Sequence, residues 1–181
     1  MVMRTRATAT ADFDDLFRGV WSRAVTTARR IVGPGGDPEG LAAEALTRAY
    51  DRWPTVGRHP APDAWVLRVT INLGLDKLRR TPLPEDAVID LRDDAPTRGV
   101  VYDSSDDTIA VRLALGAALR ELPEKQRHAV ALRYLAGCRE DQIAASLGIS
   151  PGTVKTHLKR GLQKLRTEMG ADLEAPLAVA P

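Results

Sequence analysis

Between Leu147 and Pro151 the chain reads Leu-Gly-Ile-Ser-Pro, five residues that leave the backbone few choices. Gly148 stands where a helix runs out of partners for its last carbonyls, and it alone of the five enters a left-handed conformation without steric cost. Ser150 offers a side-chain oxygen to the exposed N–H groups of a following helix, and Pro151 fits the first helical position, where its missing N–H costs nothing. One helix is therefore predicted to close at Gly148 and another to open at Pro151. The segment from Arg139 to Arg166 reads as a helix-turn-helix.

The second of these helices carries Val154, Leu158, Gly161, Leu162 and Leu165 at three- and four-residue steps, an apolar stripe that should face a core. At about 100° per residue, Gly152, Thr156, Arg160 and Gln163 fall near the opposite side, with Lys155, Lys159 and Arg166 on one flank. A major groove admits a helix of this size, and the N-terminal part of such a helix lies against base edges. Thr153, Thr156 and Arg160 are the candidate base readers, Arg160 by two hydrogen bonds to a guanine. Lys155, Lys159, Lys164 and Arg166 are candidates for phosphate, and Ser150 with the first-turn amides can also hold one.

The rest of the chain reads as helices packed on helices. Aromatic residues make up only 4% of the 181 residues, and the apolar ones are mainly Ala, Leu and Val at helical spacing. The expected fold is all-α, with two small helical domains, an acidic flexible linker between them, and the helix-turn-helix in the C-terminal one. A first helix carries Phe13, Leu16, Phe17, Val20, Ala24, Ala28 and Ile31, with Asp12 as its cap and a stop at Gly33 to Gly36. Asp37 and Pro38 start a second that runs to Trp53, where Pro54 ends it. Asp63 is positioned to cap a third, from Ala64 to Arg80, whose Trp65, Val69 and Leu73 share a stripe and whose Arg68, Asn72, Arg79 and Arg80 form a polar, basic surface. In the C-terminal block, a helix from Ile109 to Leu122 is broken by Pro123, and another follows from Glu124 to Ala136.

Net charge is only +2, so a nucleic-acid partner has to be argued from where the charges lie. Residues 81–107 hold Glu85, Asp86, Asp90, Asp93, Asp94, Asp103, Asp106 and Asp107 against Arg92 and Arg98, with Pro82, Pro84 and Pro96 among them. That composition reads as an extended, self-repelling connector. It divides the chain into a tail at 1–11, a domain at 12–80, the linker at 81–107, a second domain at 108–169 and a tail at 170–181. Cys138 is the sole cysteine, and neither a signal-peptide core nor an apolar run of membrane-spanning length appears, so a cytoplasmic chain without membrane insertion is expected.

Four motifs in this order, FDDLFRGVW, DPEGLAAEALTRAYDRW, AWVLRVTINLGLDKLRR and LRELPEKQRHAVALRYLAGCREDQIAASLGISPGTVKTHLKRGLQKLR, resemble those of the extracytoplasmic-function sigma factors, small promoter-recognition subunits of bacterial RNA polymerase. The resemblance spans nearly the whole chain. It implies that the helix from Asp37 to Trp53 binds the polymerase clamp, with Asp37, Glu39, Glu44 and Arg48 as contacts. It implies that the loop before Ala64 and the helix after it engage the minus-ten element through Arg68, Asn72, Lys77, Arg79 and Arg80. Ser150, Gly152, Thr153, Lys155, Thr156, Lys159, Arg160 and Gln163 would meet the minus-thirty-five element.

The implied partners are core RNA polymerase, promoter DNA and an anti-sigma factor, with no cofactor and no metal. The connector would cross the polymerase's basic channel, its carboxylates standing in for phosphates or merely solvated. The chain departs from the family pattern at Gly40 and Ala43, where an acidic residue and a glutamine are usual, and Gly40 weakens a helix by about 1 kcal/mol relative to Ala. A stand-alone LuxR-like regulator is the alternative, since such proteins carry a similar helix-turn-helix. An enzyme is disfavoured: His59, His128, His157 and Cys138 lack the spacing of a metal or nucleophile site, and Gly33 to Gly36 lack the Lys and Ser/Thr of a phosphate-cradling loop.

Overall fold

The computed structural model describes residues 3–80 and 106–169, and every described element is helical. The expected connector, apart from its last two residues, and the expected C-terminal tail lie outside them. Helix α1 spans Met3–Val32, α2 Pro38–Asp51, α3 Trp53–Val56 and α4 Pro62–Arg80; α5 spans Asp106–Glu121, α6 Glu124–Tyr134, α7 Glu140–Leu147 and α8 Pro151–Met169. A single 3-10 turn at Pro34–Gly36 joins α1 to α2.

Several boundaries differ from the sequence expectation, three of them at an expected cap or stop. Helix α1 begins at Met3, so Asp12 lies inside it rather than capping it, and the expected tail is helical from residue 3. No Gly or Pro interrupts residues 3–18, and extending an existing helix is cheap once it is nucleated. Pro54 does not end a helix at Trp53: α2 stops at Asp51, and Pro54 sits in the first turn of α3, where it forfeits no intrahelical bond. Asp63 likewise falls inside the first turn of α4 behind Pro62, where its negative charge complements the helix dipole.

Helices α1, α2 and α4 form the N-terminal block. Val20, Ala24, Ala28 and Ile31 of α1 meet Ala42, Ala45, Leu46 and Ala49 of α2 and Leu67, Ile71 and Leu75 of α4 in its core. The deepest stripe of α4 is Ala64, Leu67, Ile71, Gly74 and Leu78, while Trp65, Val69 and Leu73 are only half-buried against it. Trp65 thus packs on the core without filling it. At the start of α2, Asp37 adopts a left-handed φ of 54° and its carboxylate accepts from the Gly40 N–H at 3.0 Å. A Cβ at residue 40 would collide with that carboxylate, so the glycine makes room for the cap.

The C-terminal block stacks α6, α7 and α8, with α5 across them, around Leu119, Leu132, Ile143, Val154 and Leu165. Gly161 is buried where α8 crosses α6, and a Cβ there would lie 2.7 Å from Val130 Cγ2. The two blocks share one continuous core, because α4 packs on α5, α6 and α7.

Candidate nucleic-acid interface

The turn between α7 and α8 is built as its residue types require. Gly148 has φ 62° and closes α7, its N–H donating to the Ala144 carbonyl. Ser150 Oγ accepts from the Thr153 N–H at 3.1 Å and lies 2.8 Å from the Thr153 hydroxyl. At the other end of α7 the Arg139 N–H donates to Gln142 Oε1 at 3.0 Å. These local bonds fix the angle at which α8 stands against α7.

Helix α8 buries Val154, Leu158, Gly161 and Leu165, with Leu162 half-buried beside them. Gly152, Lys155, Thr156, Lys159, Arg160, Gln163 and Arg166 are exposed, and Thr153 is half-exposed at the helix start. Thr156 Oγ1 donates to the Gly152 carbonyl at 3.1 Å, which leaves its lone pairs as acceptors. Lys155 Nζ lies 3.9 Å from Glu140, a loose surface pair. Lys164, also expected at a phosphate, has partners within the chain: its ammonium donates to the Glu121 carbonyl at 2.7 Å and pairs with Glu168 at 3.6 Å. It ties α8 to α5.

The second basic surface lies on α4. Arg79 and Arg80 are exposed near its C-terminus, Arg79 at 3.8 Å from Asp76, and Lys77 is half-buried. Arg68 and Asn72 are engaged by the C-terminal block. Arg68 Nη1 donates to the Ser146 carbonyl at 2.8 Å, and Asn72 Oδ1 lies 2.9 Å from His128 Nε2. Burial lowers the Arg68 pKa, against the opposing pull of Glu124. Burial, then the charges of Arg68 and Arg127, lower the His128 pKa to about 4 despite Glu124, so its ring is neutral near pH 7. A neutral ring donates to Asn72 from Nε2.

The acidic and basic residues of α2 form an exposed charged face. Glu39 accepts from Arg29 at 2.7 Å and Glu44 from Arg48 at 2.8 Å, while Asp37 caps the helix. Beside it the structure adds aromatic surface absent from the sequence reading. Tyr50 is 54% exposed and meets Phe13 edge-on, and Phe17, 40% exposed, stacks on Trp21. Phe17 belongs to the apolar stripe of α1, yet its ring stays partly open to solvent. Burial pushes the Cys138 thiol up to about 11, which keeps it protonated and unreactive. His59 Nδ1 accepts from the Ala61 N–H at 3.0 Å and shapes the loop before α4. Among the described residues no group of His, Cys, Asp and Glu is placed to hold a metal, and no helix is long and apolar enough to cross a membrane.

Comparison with known proteins aligns both blocks. Residues 16–82 match the sequence family "Sigma-70 region 2" and residues 112–165 match "Sigma-70, region 4". The chain is 34% identical to the RNA polymerase sigma-E factor of Streptomyces coelicolor, over 91% of this chain and 90% of that one. It is 26% identical to the ECF RNA polymerase sigma factor SigW of Bacillus subtilis, over 89% of each. The fold is similar to that of the sigma factor RpoE solved in complex with the anti-sigma factor NepR from Bartonella quintana, with TM-score 0.50 and 20% identity over 89% of this chain and 98% of that one.

Proposed function

The chain belongs to the extracytoplasmic-function group of the sigma-70 family, and on that premise we propose that it works as a dissociable sigma factor. It binds core RNA polymerase and directs initiation to promoters by recognising minus-thirty-five and minus-ten elements. Its working place is the cytoplasm, and its role is to confer specificity on the polymerase rather than to catalyse. The observation that carries this reading is the order of two matched blocks along one chain, region 2 at 16–82 and region 4 at 112–165. A stand-alone LuxR-like regulator leaves the first block unexplained.

Within this reading, α8 meets the minus-thirty-five duplex through Ser150, Gly152, Thr153, Lys155, Thr156, Lys159, Arg160 and Gln163. Its exposed face and capped N-terminus support that assignment. Arg68, Asn72, Lys77, Arg79 and Arg80 of α4 serve the minus-ten element, and Asp37, Glu39, Glu44 and Arg48 of α2 face the polymerase, with Tyr50 and Phe17 adding apolar area beside them. Two DNA contacts on one polymerase-bound chain strengthen each other through linkage. An anti-sigma factor is the natural antagonist of such a protein.

Reconstitution tests the proposal. Mixed with core polymerase, the protein should co-elute with it and produce transcripts that start at defined sites on genomic DNA fragments. Tight duplex binding by the protein alone, with neither core association nor initiation, would make it a stand-alone regulator.

A further inference from the structure

Helix α5 is apolar nearly all round: from Ile109 to Leu119 its only polar side chain is that of Arg112. A helix of that composition belongs under cover on every side. One side is covered, with Gly116 set against Leu78 of α4 and Leu119 buried beside it. At about 100° per residue, Val111, Ala114, Ala117 and Ala118 fall on the side away from Gly116. There Val111 is 44% exposed, Ala117 is exposed and Ala114 is half-buried. A groove of about 290 Å³ lies between this face and the end of α8, floored by Ala114, Ala117, Ala118 and Met169. We infer that residues 170–181 are the missing cover, a strap that runs on from α8 along α5 and closes this face with Leu173 and Leu177.

The direction of α8 selects this occupant. Lys164 donates to the carbonyl of Glu121, the last residue of α5, whereas Met169, one turn further along α8, lines the groove with Ala114 and Ala117. Helix α8 therefore runs along α5 toward the start of α5, and the chain beyond Met169 leaves in the direction of Val111. The path is short. From Ala118 to Val111 helix α5 rises about 10 Å, and the chain from Met169 to Leu173 spans at most about 14 Å. Leu173 and Leu177 are spaced to fall on one side of the segment whether it is helical or extended. A floor of alanines lets such side chains approach α5 closely. At the rim, Glu168 is paired with Lys164 at 3.6 Å and the charges of Arg120 and Glu121 balance, so Asp172 meets no net repulsion. Covalent attachment supplies a high effective concentration, and a modest contact area is then enough.

A nitroxide spin label on Ala175→Cys, in the full chain at low concentration, tests the strap. Cys138 is buried and does not compete for the label. The label should broaden the methyl signals of Val111, Ala114 and Ala117 more strongly than those elsewhere in the protein. Leu173→Asp with Leu177→Asp, which disturbs no contact among the described residues, should abolish that broadening and speed amide hydrogen exchange in α5 about tenfold. If the label broadens no α5 methyl preferentially, the strap is overturned and the face is left open for a partner protein. Mixing spin-labelled chains with isotope-labelled chains that carry no spin label separates the remaining occupant. Broadening of α5 that arises only between chains makes a second copy the cover and equally overturns the strap.

Discussion

At the scale of single residues, Arg160 tests how α8 would hold DNA in the proposed role. Its side chain is exposed about two turns into the helix, opposite the buried stripe, where a guanidinium can reach a base edge or a phosphate. Arg160→Ala should lower affinity by about 1–3 kcal/mol at one promoter position if the residue reads a base. Uniform weakening across sequences, with a salt slope smaller by about 1, would assign it to phosphate. Gly40 carries the opposite lesson about a local rule. Helix propensity alone makes Gly40→Ala a gain of about 1 kcal/mol. The added methyl group displaces the Asp37 carboxylate from the N-terminus of α2, and losing such a cap costs about as much. The variant should melt no higher than the unaltered protein, and a clearly higher melting temperature would show that the cap contributes little.

At the scale of elements, the stability of the C-terminal block depends on how closely α8 can approach α6. Gly161 allows that approach, and Val130, stiff at its branched Cβ, has no easy rotamer away from an added side chain. Gly161→Val should therefore destabilise by at least about 1–3 kcal/mol through overpacking, read as a lower midpoint in chemical denaturation. Helix α8 was readable in detail from its sequence because its caps, stripe and exposed face are all local, and each agrees with the others. Helix α4 was less so. Its sequence shows apolar residues on several sides, since it touches α1 and α2 on one side and α5, α6 and α7 on another, and a helix buried on two sides has no single stripe.

At the scale of the whole molecule, His128 makes the join between the blocks sensitive to acid. Its folded pKa of about 4 lies below the ordinary value of 6.5, chiefly because the ring is buried at the seam. The unfolded chain therefore takes up the proton first, and this group's contribution to stability is whole above the unfolded value and falls as pH drops toward the folded one. The melting temperature should decline on acidification from about pH 7 to about pH 5, and His128→Gln should flatten that decline. An unchanged slope would mean that carboxylates, not the seam, govern the response.

The division of labour between sequence and tertiary structure follows from the range of the forces involved. Caps, a glycine turn, proline starts and three-to-four periodicity act within one or two turns of helix, so the helical class, most of the helix order and the outward face of α8 were present in the chain itself. The family motifs added two blocks and their order. Contacts between residues far apart in sequence could not be read that way. Asp63, expected as a cap, is bound by Arg23 and Gln142; Lys164, expected at a phosphate, is bound by Glu121; and Arg68 and Asn72 hydrogen-bond to Ser146 and His128. Each partner lies more than a helix away along the chain, and only packing brings the two together. Sequence determined the outward face of α8, and tertiary structure decided which partners Arg68, Asn72, Asp63 and Lys164 take.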